Sequence, residues 1–598
     1  MNYPEIRNLP AMFFAQAKRH GDRSFLWRKH DGAWHPLTWA EVAEKVEALA
    51  KGLRRLGVAP GDRVTLVAEN RPEWMIADLA IMTAGAITVP AYTTNTVADH
   101  THILSDSGSK CAIVSTAALA ETLLPAAAQT DGVDHAIAIE TPEIPTPAGV
   151  QVHDWESVLQ DGRKAAGPDG ALDAIARTDT CCIIYTSGTS GKPKGVMLSH
   201  GAILCNCMGA NDLLQELPLF EEDREIFLSF LPLSHSYEHT AGQFLPIAIG
   251  AQIYYAEGID KLTANLAEVR PTVMTAVPRL YEVMHARIRH GVERTKGLKR
   301  FLFEETVRLG RKAYETPAAM TLPDRIVNAL LDVLVRKKVR QRFGGRLKAF
   351  VSGGAPLNYD IGLFFIALGL RILQGYGQTE SAPVVSCNTP TRNKLHTVGP
   401  PLKGVEVRIA EDGEILVRGE LVMQGYWNNP EATAETIRNG WLHTGDIGRF
   451  DEDGYIEITD RKKDIIVNSG GDNLSPARVE GMLTAVREIG QAMVFGDKRP
   501  HLVAVVVPDA DFLAEWSKRN GKGGDLTAAV RDDGLHKALQ DAVERVNANL
   551  SVIERVRRIM VAPEPFTIEN EMMTPTLKLR RHVITNRYRE DLERLYGR

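Results

Sequence analysis

Directly behind the apolar run 181–185 the chain reads Thr186-Ser187-Gly188-Thr189-Ser190-Gly191-Lys192-Pro193-Lys194-Gly195. Glycines let backbone amides close on phosphate oxygens, hydroxyls add donors or metal ligands, and a lysine neutralises a polyphosphate. The string does not fit the P-loop pattern G-x-x-x-x-G-K-[ST], so ordinary P-loop chemistry is not indicated. A flexible Gly/Ser linker is the structural alternative, but a linker has no reason to place hydroxyls, glycines and lysines against a buried strand. Phosphate binding is the expectation, with Lys194 as the neutralising cation.

Four further strings carry the chemistry. Ser352-Gly353-Gly354-Ala355-Pro356 follows a β-rich run, and Gln374-Gly375-Tyr376-Gly377-Gln378-Thr379-Glu380 comes shortly after it. Trp441-Leu442-His443-Thr444-Gly445-Asp446 is trailed by Arg461, and Met573-Thr574-Pro575-Thr576-Leu577-Lys578-Leu579-Arg580 lies near the C-terminus. Each alone reads as a turn or a charged surface strand. In this order they resemble the motifs of the adenylate-forming superfamily, which includes acyl-CoA synthetases, firefly luciferase and the adenylation domains of peptide synthetases. The resemblance spans nearly the whole chain.

The resemblance implies roles residue by residue. Thr186, Ser187, Gly188, Thr189, Ser190, Gly191 and Lys194 form the phosphate loop. Gly353, Gly354 and Ala355 lie along the adenine edge, with Gln374, Gly375, Tyr376 and Gly377 presenting an aromatic face. Thr379 is a phosphate-side hydroxyl; Glu380 and Thr186 are oxygen ligands for Mg2+, a cation that keeps waters and binds substrate phosphates. Asp446 and Arg461 take the ribose, Lys578 is the catalytic lysine, and Lys463 is the hinge. Gly470, Gly471, Asn473 and Ser475 face coenzyme A. The implied reaction is attack of a carboxylate on the ATP α-phosphorus, then transfer of the acyl group to the thiol of coenzyme A.

Which acid is indicated by two features. Leu577 stands where the superfamily usually has glycine, a form that resembles the long-chain acyl-CoA synthetases. Leu231-Pro232-Leu233-Ser234-His235-Ser236-Tyr237-Glu238-His239 resembles the same branch, where such a histidine (His235) lies between acyl and coenzyme A channels. Medium-chain or aryl-acid ligases, a fatty acyl-AMP ligase and a catalytically idle nucleotide sensor are the rivals. Lys194, Glu380, Asp446 and Lys578 together argue against the idle sensor.

The elements that must position these residues alternate helix and strand. Thr38 and Glu41 have capping-box spacing, and Val42, Val46, Leu49 and Leu53 then recur at helical period before Gly57 and Pro60. β-rich runs separated by helical patterns predict an α/β class with largely parallel sheets. From about 390 to 458 short strands with Gly/Asp turns predict a β-rich subdomain of an N-terminal AMP-binding domain, 1–459. The charged run 460–464 is read as hinge and linker, and 465–598 as a small α+β cap domain.

Composition bounds the rest. A chain of 598 residues, 44% hydrophobic and 24% charged, needs more than one core. A formal charge of −5 argues against nucleic acid as partner. Six cysteines without a C-x-x-C pair fit a reducing cytoplasm. The apolar run 75–92 is broken by Asp78 and reads as buried helix then strand. Residues 295–348 hold 14 Lys/Arg against five Asp/Glu, interleaved with Ile326, Leu330, Leu331, Leu334 and Val335. One reading is a basic amphipathic surface on anionic lipid at the inner face of the membrane; a solvated helix face is the other.

Overall fold

The structure is a computed structural model, and it describes residues 2–165, 171–186, 193–462, 464–470, 472–523, 526–574 and 578–597. Its class is α/β, with a large N-terminal domain of sheets and helices and a smaller C-terminal domain. Among the described residues two eight-stranded sheets dominate the N-terminal part. One runs, in spatial order, Gly425–Tyr426, Lys194–Ser199, Thr180–Thr186, Ile87–Pro90, Arg63–Val67, Ser109–Val114, His135–Ala138 and Gln151–Asp154. The other runs Val384–Cys387, Ile372–Gly377, Ala349–Ser352, Val273–Ala276, Ile226–Ser229, Gln252–Tyr255, Ser24–His30 and Ala33–Thr38. Both are parallel inside; the second is antiparallel at both edges, the first only at its Gly425–Tyr426 and Lys194–Ser199 side, ending in a parallel strand at Gln151–Asp154. The interior strands are near-continuous apolar runs, as burial on both faces demands.

Local signals are realised as chemistry requires. The Thr38 side chain accepts from the Glu41 amide at 3.1 Å while the Glu41 carboxylate accepts from the Thr38 amide at 2.7 Å. The helix Trp39–Arg55 follows, and Gly57 leaves it with φ +89°. The run 75–92 becomes the buried helix Pro72–Thr83 and the strand Ile87–Pro90.

A five-stranded antiparallel sheet contains Glu406–Ile409, Glu414–Arg418, Ile437–Arg438, Trp441–Phe450 and Ile456–Arg461. Its last strand takes in Asp460 and Arg461, so the charged run begins inside a ladder. Beyond it, Ile489–Phe495, Leu502–Pro508 and Val556–Val561 make a three-stranded sheet flanked by helices. The two hydrophobic clusters of this C-terminal part draw only on residues from Ile466 onward. It therefore has its own core, the requirement for moving as a unit.

Candidate active site

The phosphate-loop candidates begin on a hairpin. Thr180–Thr186 pairs antiparallel with Lys194–Ser199, and the register sets Thr186 directly opposite Lys194. Ser187, Gly188, Thr189, Ser190 and Gly191 lie outside the described residues. The edge strand Gly425–Tyr426 then pairs with Lys194–Ser199. This brings Tyr426 under the lysine: Lys194 Nζ lies 5.1 Å from the centre of the Tyr426 ring, within cation–π range. The Tyr426 hydroxyl donates to Glu380 Oε1 at 2.8 Å. One aromatic residue thus links the lysine to the proposed metal carboxylate. Sequence reasoning missed Tyr426, because nothing around it announces a partner 46 residues away.

Thr379 and Glu380 sit in the one-turn 3-10 helix Thr379–Ser381, immediately after the strand Ile372–Gly377. Gly377 permits that exit, since a Cβ there would collide with the Pro383 carbonyl. The Gln374 side chain donates to the Leu395 carbonyl, fixing the strand's far side. Tyr376 is buried, and its hydroxyl donates to Asp446 Oδ2 at 2.7 Å. Arg461 Nε donates to Asp446 Oδ1 at 2.9 Å. The spacing between Asp446 and Arg461 is explained by the ladder, which sets them directly opposite each other. A carboxylate has about four acceptor sites, so each Asp446 oxygen keeps capacity for a further donor. Burial, and then the Asp446 charge, push the Tyr376 phenol well above its usual range.

The adenine-side candidates follow the strand Ala349–Ser352. Gly354 has φ +83°, a conformation that favours glycine. A Cβ on Gly353 would stand 3.3 Å from the Tyr237 ring, whose hydroxyl donates to the Val351 carbonyl at 2.8 Å. Ala355 continues the same turn. Tyr237 packs with Leu231 and Ala241 in a small apolar cluster of its own, flanked by Phe230 and Val277. This cluster sits at the ends of strands Ile226–Ser229 and Val273–Ala276.

His235 precedes the cluster in a loop, not on a strand end. The Tyr237 amide donates to His235 Nδ1 at 3.2 Å, which leaves Nε2 as the protonated nitrogen of a neutral ring. Burial, reinforced by the Lys578 charge, lowers its pKa to about 4. Next to it, Ser236 Oγ and Thr379 Oγ1 share a hydrogen bond of 3.0 Å, tying this loop to the Glu380 turn.

The loop is anchored from behind by a π-helix, Glu238–Phe244, an element that recurs at functional sites. Glu238 is fully buried and accepts from Ser229 Oγ and Thr275 Oγ1, each at 2.6 Å. Burial raises its pKa to about 7 against those two donors. His239 Nε2 meets Asp78 Oδ2 at 3.0 Å with both side chains excluded from solvent, and Gln243 Nε2 donates to the same oxygen at 2.9 Å. Burial opposes the imidazolium, but the Asp78 carboxylate outweighs it and raises the His239 pKa. These partners are 161 residues apart, beyond the reach of any local pattern.

Lys578 lies in the C-terminal domain. Its amide donates to Thr574 Oγ1 at 3.1 Å, and the Thr574 amide donates back to the Lys578 carbonyl at 2.8 Å. Lys578 is solvent-exposed, but surrounding protein still desolvates its ammonium in part. That desolvation, helped by the Arg461 charge and opposed by Asp446 and Glu380, lowers its pKa to about 8. The charges of Arg461, Asp446 and Glu380 thus act on Lys578, and the Lys578 charge acts on His235.

The coenzyme A candidates are not drawn into this cluster by any hydrogen bond among the described residues. Gly470 donates its amide to Asn468 Oδ1 at 2.8 Å in an exposed loop. Ser475 caps the helix Pro476–Leu483, accepting from the Arg478 amide. Lys463 and Gly471 lie outside the described residues, as does the side chain of Asn473. Beside them Asp460 has its pKa raised to about 6, chiefly by burial and against a hydrogen bond from Ser475.

Among the described residues no group of three or more His, Cys, Asp and Glu side chains is placed to hold a metal. Glu380 and Thr186 offer one carboxylate and one hydroxyl. That sparse oxygen set fits Mg2+, which keeps several waters and is shared with substrate phosphates.

Comparison with known proteins places the chain in a family. The profile of the family described as AMP-binding enzyme matches residues 13–427, and that of the AMP-binding enzyme C-terminal domain matches 463–598. The long-chain-fatty-acid–CoA ligase FadD15 of Mycobacterium bovis is 34% identical over 99% of this chain and 98% of its own length. The peroxisomal long chain acyl-CoA synthetase 6 of Arabidopsis thaliana is 32% identical over 94% of this chain and 82% of its own. The fold is shared with ATP-bound MatB of Rhodopseudomonas palustris (TM-score 0.70, 22% identity, 99% of this chain and 100% of that one). It is also shared with the AMP-bound A domain of the Segniliparus rugosus carboxylic acid reductase (TM-score 0.76, 20% identity, 99% and 94%). The chain belongs to the AMP-binding, adenylate-forming enzymes.

Proposed function

We propose that this protein is a long-chain-fatty-acid–CoA ligase working in two half-reactions. In the first, a fatty carboxylate oxygen attacks the ATP α-phosphorus and pyrophosphate leaves, giving acyl-AMP. In the second, the sulfur of coenzyme A attacks the acyl carbon and AMP leaves. What supports this reading is that Lys578, from the C-terminal domain, feels the charges of Arg461, Asp446 and Glu380 and acts in turn on His235. A lysine brought in from the C-terminal domain has no use in a site that merely holds a nucleotide.

The obstacle in the first step is anion meeting anion in a loose, charge-spread transition state. Lys194 neutralises the outer phosphates together with the phosphate loop 186–191. Lys578 lies between the carboxylate and the α-phosphate, where preorganised positive charge acts most strongly. Asp446, braced by Tyr376 and Arg461, accepts from the ribose hydroxyls. Gly353, Gly354 and Ala355 take the adenine edge, with Gln374, Gly375, Tyr376, Gly377 and Thr379 beside it. Thr186 and Glu380 would hold Mg2+, which when bound supplies charge neutralisation at the phosphates.

A neutral His235 can stand between acyl chain and thiol without attracting the carboxylate. The small apolar cluster of Leu231, Tyr237 and Ala241 next to it suits the start of an acyl chain. The N-terminal domain takes in 1–459, the hinge 460–464 with Lys463, and the cap 465–598. Rotation about that hinge withdraws Lys578 and brings Gly470, Gly471, Asn473 and Ser475 to the site for the second half-reaction. The reading sets the enzyme in the cytoplasm with peripheral contact to the membrane surface, where long fatty acids partition.

The test is pyrophosphate release across a panel of acids, with and without coenzyme A. Release with long-chain fatty acids, and thioester only when coenzyme A is present, is expected. No release with any acid defeats the enzyme reading, whereas release without thioester indicates an acyl-AMP ligase.

A further inference from the structure

Among the described residues fifteen large hydrophobic side chains are exposed, and eight of them fall between positions 298 and 334. Scattered exposed leucines are ordinary, but a contiguous set marks an interaction surface. The segment folds as helix Leu298–Glu315 and helix Leu322–Leu331, the latter running on through a π-turn, Asp332–Arg336, into helix Lys337–Arg342. Two cross-links set an antiparallel hairpin: Lys312 Nζ to Asp324 Oδ2 at 2.7 Å, and Arg336 Nη2 to the Thr306 carbonyl at 3.2 Å.

On the second helix Leu322, Ile326, Leu330 and Val333 recur at helical spacing, with exposures of 72%, 55%, 57% and 62%. They form one stripe that faces away from the protein. The hairpin register places Leu298 and Phe301 of the first helix toward the Lys337–Arg342 end. Phe301 is 62% exposed.

Charge singles out the occupant. The five carboxylates of this segment are all engaged: Glu304 by Arg300, Glu305 by Arg308, Asp324 by Lys312, Asp332 by Arg340, and Glu315 by the Tyr359 hydroxyl. Lys299, Arg325, Lys337, Lys338 and Arg342 are exposed and have no ion pair among the described residues. An apolar stripe edged by uncompensated cations matches an anionic interface with a hydrocarbon interior. A second copy would bring the same cations against one another. No helix among the described residues is long and apolar enough to cross a membrane.

We propose that the 298–342 hairpin is a docking face for an anionic lipid bilayer. Its purpose rests on the fatty-acid reading above, since long acids reside in lipid. The hairpin also packs against the helix that leads toward the site. Arg336, buried under it, donates from Nε to the Ala367 carbonyl at 2.6 Å. Gly310 lies so close to Ala367 that a Cβ would collide with its backbone. Ala367 ends the helix Tyr359–Ala367, which leads into the strand bearing Tyr376.

Flotation of the full-length protein with vesicles, in the absence of ATP, coenzyme A and acid, tests this. Binding to phosphatidylglycerol vesicles should exceed binding to phosphatidylcholine by about tenfold and weaken at about 0.5 M salt. Leu330→Glu, and separately Lys337→Glu with Lys338→Glu, should each lower binding by about tenfold. The same variants should keep full activity on a short, water-soluble fatty acid without vesicles. Equal binding to both lipids, no binding by the unaltered protein, or full binding by Leu330→Glu would overturn the proposal. Self-association in dilute solution that Leu330→Glu abolishes would overturn it in favour of a second copy. Since the assay contains no substrate, a protein that binds vesicles but activates no fatty acid would contradict only the proposed function.

Discussion

Lys194 and Lys578, the two lysines of the proposed site, are held in opposite ways. Lys194 opens a strand in an eight-stranded sheet, opposite Thr186, with the Tyr426 ring beneath its ammonium. Moving it would break a ladder. Lys578 has its backbone amide bound to Thr574 Oγ1, in a domain with its own core. That domain touches the larger one through limited contacts such as Asn358 Nδ2 to the Gly481 carbonyl at 3.1 Å. Under the proposed function, this difference would let one protein run two reactions at one nucleotide, with a permanent cation for both steps and a removable cation for one.

The comparison can be broken most sharply by removing the removable cation. Lys578→Ala should lower pyrophosphate release by about 100- to 1000-fold, the scale for losing one preorganised group at developing charge. Lys194→Ala should cost less, about 10- to 100-fold, because the loop amides remain on the phosphates. It should raise the KM for ATP, whereas Lys578→Ala should act on kcat.

A pH profile separates the two lysines without a deletion. The Lys578 ammonium is lost above about pH 8, so kcat/KM for adenylation should fall as pH rises, to about one-tenth of its plateau at pH 9. Lys578→Arg, which keeps its charge, should move that limb upward, while Lys194→Arg should leave it in place. The stability sign is opposite. A lysine pKa depressed on folding means the unfolded chain binds more protons between about 8 and 10.4, so stability rises across that window. The smallest effect is expected for Tyr426→Phe, which frees Glu380 from one hydrogen bond. A change of about twofold to tenfold in the magnesium dependence, with folding intact, would fit the net worth of one such bond.

What was legible in the sequence was what the backbone arranges locally. The pairing of Thr186 with Lys194 follows from a hairpin, and that of Asp446 with Arg461 from a single antiparallel ladder. Tyr426 was not legible, because its role depends on an edge strand joining the sheet from a distant part of the chain. The buried Asp78–His239 pair was hidden for the same reason, and His239 stood in the His235 string with no sign of its charge. The neutral state of His235 depends on its burial, and its tautomer on one backbone amide, both visible only in three dimensions. For the 298–342 hairpin, periodicity announced amphipathic helices, but only packing decides which face is left uncovered.

The most direct test is to measure the two half-reactions of Lys578→Ala separately. Adenylate formation from acid and ATP is expected to collapse, while thioester formation from supplied acyl-adenylate and coenzyme A stays within about twofold of the unaltered enzyme. Equal loss of both steps would contradict a lysine that leaves the site between them.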